Sequence, residues 1–187
     1  MAQLWRNAAG YHVQPTEGGH IDFAPLDAIE DAILARLRKR HRRVSVERVV
    51  AGPGIVDIYE TLASIEGRAI VAQEDKALWA AGTGGEDSLA AAAVDRFCLS
   101  LGSVAGDLAL AHGASALVMA GGLGLRIKDT LLRSGFADRF QAKGRFEGMM
   151  AAMPVKLITH PQPGLFGAAA AFAQADREST RLNSSHV

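Results

Sequence analysis

The chain has 187 residues, enough for one domain with a substantial core or for one large and one vestigial lobe. Hydrophobic residues make up 49% and charged residues 21%, the balance of an ordinary globular domain and not of a disordered chain. Twenty Lys plus Arg offset twenty Asp plus Glu, so no overall field draws the chain to nucleic acid or to an anionic membrane, and a small polar ligand is the partner class that fits.

The single cysteine, Cys98, cannot close an internal disulfide, and no Cys/His spacing matches a structural zinc site, which points to a reducing cytoplasm. Residues 1–15 lack the basic start, apolar run and small-residue cleavage site of a secretory signal. The continuous apolar runs, such as 90–94 and 114–120, fall short of the roughly 20 residues of a membrane-spanning helix.

In chain order, Leu26, Ile29, Ile33, Leu34 and Leu37 recur at helical spacing and predict a one-sided helix over 26–43. Its end is basic, with Arg36, Arg38, Lys39, Arg40, Arg42 and Arg43, and reads as a solvated helix C-terminus favoured by the dipole. Ser45 reads as an N-cap for a short helix over 46–51 stopped by Gly52. Pro53 opens a further helix with an apolar face of Ile55, Ile58, Tyr59, Leu62 and Ile65, closed by Gly67. Thr83-Gly84-Gly85 is a break, and a long helical pattern runs over 86–112 to Gly113.

Residues 116–120 are a short apolar run that predicts a buried strand, followed by Gly121-Gly122-Leu123-Gly124 and a helix through Leu131. A second strand over 155–159 leads through His160-Pro161-Gln162-Pro163-Gly164 into an alanine-rich helix reaching about residue 175. Strand, turn and helix repeated in this way make an α/β fold, with both strands expected in one sheet. Residues 176–187 show almost no apolar periodicity and are expected to be mobile.

Three groups of residues are candidates for chemistry. In Glu17-Gly18-Gly19-His20 the glycines allow a sharp turn and close ligand approach, and a carboxylate beside an imidazole suits vicinal hydroxyls; a self-capped polar turn fits the same spacing. Glu47 stands in the first turn of a helix, where the dipole alone also favours an acid. Gly121 and Gly122, between strand and helix, could bring backbone N–H groups to a nucleotide, although the three spaced glycines of the dinucleotide pattern are absent and packing alone explains such a turn. His160 beside two prolines reads as structural rather than as a base, and Cys98 as a buried inert thiol.

Taken together and in order, Glu17-Gly18-Gly19-His20-Ile21-Asp22-Phe23-Ala24-Pro25, Ser45-Val46-Glu47-Arg48, Gly52-Pro53-Gly54-Ile55-Val56, Ala120-Gly121-Gly122-Leu123, Lys143-Gly144-Arg145-Phe146 and His160-Pro161-Gln162-Pro163-Gly164-Leu165-Phe166-Gly167 resemble the bacterial-type ATP-dependent glucokinases. The resemblance implies the C-terminal lobe of an actin-like ATPase (ribonuclease H-like) α/β fold, a mixed sheet flanked by helices. It implies that Glu17, His20 and Glu47 hold sugar hydroxyls, that Gly121 and Gly122 lie near the nucleotide, and that glucose and ATP with Mg²⁺ are the ligands. A homodimer is a candidate assembly; nucleic acid and membrane are not expected partners.

Residues 16–175 carry the resemblance, 1–15 form an atypical N-terminal segment, and 176–187 are expected to be disordered and foreign to the family. The phosphate-binding loops and the Asn-Asp pair that supplies the base in such enzymes have no match, and Gly82-Thr83-Gly84 stands too late in the chain to replace one of them. No catalytic base is therefore assigned. The expectation is a glucokinase part without its N-terminal lobe, inactive alone; the alternative is a non-catalytic sugar-binding protein or regulator of the same fold.

Overall fold

The computed structural model describes residues 1–8 and 10–184, with side-chain surroundings up to residue 174. Strands β1 (Ala2–Asn7) and β2 (Gly10–Pro15) form an antiparallel hairpin in which Trp5 faces His12 and Leu4 faces Val13. Trp5 stacks on the His12 ring at 5.6 Å. The sequence motifs give no sign of this hairpin, because its apolar residues are few and mostly exposed and leave no clean alternation.

Helix α1 (Ala28–Arg38) is capped by Asp27, whose side chain accepts from the Ile29 and Glu30 N–H groups. It ends at Arg38, earlier than the expected 43, since Lys39 and Arg40 turn away on hydrogen bonds to Arg36 and Leu37. The basic end is solvated as expected, with Arg38, Lys39, Arg40, Arg42 and Arg43 exposed and Arg36 half-buried, though some of its charges find partners. Arg36 pairs with Glu60 and Asp57, Arg40 with Asp57, and Arg43 with Asp22, so three of its cations are tied into the fold.

Helices α2 (Val46–Val49) and α3 (Gly54–Ile65) follow, with Ser45 at the N-cap position of α2 but making no side-chain cap bond. Gly54 is required where it stands: a Cβ there would lie 2.2 Å from the Val49 carbonyl oxygen. Helix α4 (Asp75–Gly84) was not foreseen, and the expected break begins only at Gly85, which takes φ +76. Asp87 then caps α5 (Ser88–Ala111).

Helix α5 is the centre of the core. By length and composition it would suffice to cross a membrane, contrary to the reading of the short apolar runs, yet most of it is buried within the molecule. Charges at Asp95, Arg96 and Asp107 break the sequence into short runs and so hide its overall apolar character. After β3 (Leu117–Met119) come α6 (Gly122–Arg126), α7 (Lys128–Arg133), α8 (Phe136–Gln141), α9 (Glu147–Ala152), β4 (Val155–Leu157) and α10 (Pro163–Ser184).

Helices α3, α4 and α8 pack closely on α5. The α8 contact depends on Gly102 and Gly106, where an added Cβ would meet the Phe136 and Phe140 carbonyl oxygens at 2.3 and 2.5 Å. On the α4 side Trp79 meets Phe97 edge-on at 4.9 Å and donates its indole N–H to the Gly52 carbonyl. A polar thread joins α1, α5 and α8. Arg96 and Arg139 both reach Asp27, and buried Glu30 accepts from Ser100 Oγ at 2.8 Å and from the Leu26 N–H at 2.7 Å.

Strands β3 and β4 pair in parallel, Leu117 with Val155 and Met119 with Leu157. Both expected strands are therefore present in one sheet, each shortened to three residues. Among the described residues the hairpin and the parallel pair remain two separate two-stranded sheets. The last helix continues past 175 to Ser184, where disorder was expected from 176. Extending an existing helix avoids the cost of nucleation, so the backbone needs no apolar pattern to go on. Residues 185–187 of the expected tail lie outside the described residues.

Candidate functional site

The loop after β2 begins with a turn of 3-10 helix, Gly18–His20, closed by a hydrogen bond from the His20 N–H to the Glu17 carbonyl. It is then stitched to the segment leading into α2. The Phe23 N–H donates to the Val44 carbonyl, the Val46 N–H donates to the Ile21 carbonyl, and Asp22 bridges Ser45 in antiparallel fashion. Burial of Phe23, Val44 and Val46 anchors this seam in the core. Arg43 adds a clamp, donating from Nη1 to Asp22 Oδ1 and to the His20 carbonyl, each at 2.7 Å.

The seam brings Glu47, in the first turn of α2, to the other side of His20. Nδ1 of His20 lies 3.2 Å from Glu47 Oε1, and Nε2 lies 3.8 Å from Glu17 Oε2. Glu17, His20 and Glu47 thus converge although they come from different elements. All three are open to solvent, with side-chain exposures of 88%, 53% and 45%. Gly19 runs beside them, and an added Cβ would come within 3.6 Å of the Glu47 side chain, in ordinary contact. A cavity of about 250 Å³ adjoins Glu47, lined further by Arg48, Ala51, Pro53, Gly54 and Asp57.

The groups in this cluster are suited to hydrogen bonding with hydroxyls. If the Nδ1 proton of His20 points to Glu47, Nε2 presents a lone pair, and the two carboxylates add several acceptor positions. The distance from Nε2 to Glu17 exceeds a hydrogen bond and leaves both groups available to a third molecule. Motif spacing did not reveal Arg43, because it sits inside a basic block whose members look alike until the loop folds back on them.

Gly121 and Gly122 stand elsewhere, at the C-terminal end of β3, where α/β sheets receive ligands. Gly121 takes φ +118, and an added Cβ at either glycine would meet nothing within 4 Å, so the backbone is approachable. His160 is occupied structurally. Its Nδ1 accepts from the Gln162 N–H at 3.0 Å and its ring lies 5.4 Å from that of Phe166. Thr83 lies in the last turns of α4 and bonds the Trp79 carbonyl.

Cys98 is buried, and desolvation pushes its thiol up to about 11, so it stays protonated and unreactive near neutral pH. A larger cavity of about 420 Å³ lies between β4 and α7, α8 and α9. Leu131, Phe136, Phe140, Met150 and Leu157 make it apolar, and it gathers no carboxylate or imidazole. Size alone would favour it, but the chemistry of the Glu17 cluster suits a polar ligand better.

A family model described as Glucokinase matches residues 1–175, a range that includes the N-terminal segment the motifs left apart. The glucokinase of Zymomonas mobilis subsp. mobilis is 61% identical over 173 residues, covering 92% of this chain and 53% of that protein. That of Caulobacter vibrioides is 45% identical over 166 residues, covering 87% and 50%. Among solved structures, a glucokinase from an Antarctic psychrotroph superposes with a TM-score of 0.81 at 38% identity, covering 90% of this chain and 52% of that one. The glucokinase of Balamuthia mandrillaris in complex with glucose has a TM-score of 0.73 at 20% identity, a likeness of fold. The chain spans about half the length of the curated relatives it matches.

Proposed function

Since this chain belongs to the glucokinase family, we propose that it forms the sugar-binding lobe of an ATP-dependent glucokinase, with Glu17, His20 and Glu47 as ligands for the sugar hydroxyls. The observation that carries this reading is the convergence of those three side chains from separate elements at 3.2 and 3.8 Å. One carboxylate can accept from two adjacent hydroxyls, and an imidazole acceptor beside it fixes the ring's orientation.

Phosphoryl transfer relies mainly on positioning and electrostatics. In this reading the three residues orient glucose so that its 6-hydroxyl lies in line with the γ-phosphoryl of ATP, and none of them is the base. The approachable backbone at Gly121 and Gly122, at the end of a parallel strand, supports placing the nucleotide there. Mg²⁺ would arrive with the ATP phosphates and help to neutralise their charge. No group of three or more metal-binding side chains gathers among the described residues, so none is proposed to hold it.

The same reading takes residues 16–175 as the C-terminal lobe of an actin-like, ribonuclease H-like fold, 1–15 as a leading segment, and 176–187 as an extension without a role. It places the protein in the cytoplasm, with a homodimer as the candidate assembly. A coupled assay for glucose 6-phosphate tests the reading on two proteins: the 187-residue chain, and a fusion joining it to the part of the Zymomonas enzyme it does not match. The chain alone should show no turnover. The fusion should turn over, and Glu47→Gln should lower its kcat/KM by about 10²-fold, as loss of a group that binds more tightly in the transition state does. Unchanged kcat/KM in that variant would remove Glu47 from the site.

A further inference from the structure

The 420 Å³ cavity between β4 and helices α7, α8 and α9 shares no residue with the Glu17, His20 and Glu47 cluster. Buried Leu131, Phe136, Phe140 and Met150 close it from the helices, and half-buried Val155 and Leu157 close it from the strand. Aliphatic and aromatic walls favour apolar matter over water, and the volume falls in the range in which small organic ligands bind. Met150 and Met153 add side chains that adjust to the shape of an occupant.

The polar part of the lining is one-sided. It consists of Lys128, Lys156, Gln141 and Thr159, so the cavity presents two cations and no acid. Both lysines are exposed, and neither has an ion pair among the described residues. A lysine stem follows apolar surface while its ammonium stays in water, which puts positive charge at the mouth and hydrocarbon within. A sugar would leave its hydroxyls unpaired against these walls, and a cation would meet like charge at the entrance.

We propose that this cavity binds a small anionic amphiphile, a carboxylate on an aliphatic chain, with the chain among Phe136, Phe140 and Leu157 and the carboxylate at Lys128 and Lys156. The chain supplies most of the affinity, since each buried methylene is worth about fourfold in binding. The exposed lysines supply less affinity and set the preference for negative charge. Met119 at the end of β3 also lines the cavity, so an occupant touches the strand from which the Gly121 turn departs. The inference is independent of which residues hold the sugar.

The test titrates decanoate, below the concentration at which it forms micelles, into the isotope-labelled 187-residue chain. Amide signals of Met119, Leu131, Phe140 and Leu157 should shift saturably. Octanoate, two methylenes shorter, should bind about tenfold more weakly. Lys128→Glu with Lys156→Glu should reverse the charge preference, so that decyltrimethylammonium binds more tightly than decanoate. Ala137→Trp, which fills the cavity from an exposed position on α8, should abolish binding of both probes. Circular dichroism checks the fold of each variant, and if Ala137→Trp unfolds the chain the charge reversal decides. Calorimetry with decanoate should find the same site in the fusion with the unmatched part of the Zymomonas enzyme. Saturable shifts confined to residues 165–172 of α10, or binding indifferent to the charge of the probe, would overturn the proposal. So would binding to the chain that disappears in the fusion, since the rest of the fold would then fill the cavity.

Discussion

Nδ1 of His20 stands 3.2 Å from Oε1 of Glu47, with one residue on the loop after β2 and the other in the first turn of α2. The contact exists because the Phe23–Val44 and Val46–Ile21 hydrogen bonds hold the two segments side by side. Arg43 reinforces that seam from the surface through Asp22 and the His20 carbonyl. Arg43→Leu should therefore change global stability by no more than about 1 kcal/mol, as expected for an exposed pair. Sugar affinity should fall several-fold, because the loop carrying His20 loses its clamp. Urea melts and glucose titrations of the same variant separate the two effects; a large loss of stability with unchanged affinity would contradict the positioning role.

Asp27 combines a helix cap with two arginine contacts. Burial pushes its carboxyl up, but the hydrogen bond from the Glu30 N–H and the Arg96 and Arg139 guanidiniums outweigh that and hold it below its ordinary 3.8. A group lowered in the folded state stabilises fully above its unfolded value and loses that contribution as pH falls through the folded value. Stability should thus decline below about pH 4, and Asp27→Asn should flatten that part of the curve. At pH 7, Asp27→Ala should cost about 2–4 kcal/mol, from the lost cap and from partly buried Arg96 and Arg139 losing their Asp27 contacts, Arg139 keeping only Glu30 at 3.9 Å. Urea unfolding at pH 3, 4 and 7 measures both.

Gly102 lies against the Phe136 carbonyl with no room for a methyl group. Gly102→Ala should push α5 and α8 apart and destabilise the fold by about 1–3 kcal/mol, despite the higher helix propensity of alanine. A rise in the thermal midpoint would show that the two helices yield easily.

Because the Cys98 thiol is fully buried and raised to about 11, a thiol-specific reagent at pH 8 should react only through unfolding. Its labelling rate should follow the unfolding equilibrium across a urea series. Fast labelling in native buffer would mean that α5 opens locally.

Glycine and proline punctuation made α2, α3, the end of α5 and the two parallel strands legible, since breaks at Gly52, Pro53, Gly67, Gly113 and Gly121 are local events. The β1–β2 hairpin and α4 were not legible, because their apolar residues form no clean period within a short window. For the site, the residue types of Glu17, His20 and Glu47 could be read from their motifs. Their proximity was expected only from the family resemblance and not from spacing, because it depends on non-local hydrogen bonds at Phe23 and Val46 and on Arg43, whose partners lie in a distant loop. Exposure of α10 was equally invisible, since an alanine-rich apolar helix reads the same whether it is buried or exposed.

The most direct test of the proposed sugar site is a titration of glucose into isotope-labelled chain, followed by the amide signals of Gly18, Gly19, His20 and Glu47. Glucose should shift these signals saturably, more than those of the apolar cavity at Leu131 and Phe140, and Glu47→Gln should weaken the apparent affinity by about tenfold, the loss of one charge-assisted hydrogen bond of roughly 1.5 kcal/mol. Saturable shifts confined to other residues, or an affinity untouched by Glu47→Gln and His20→Ala together, would contradict the assignment of Glu17, His20 and Glu47 as the sugar ligands.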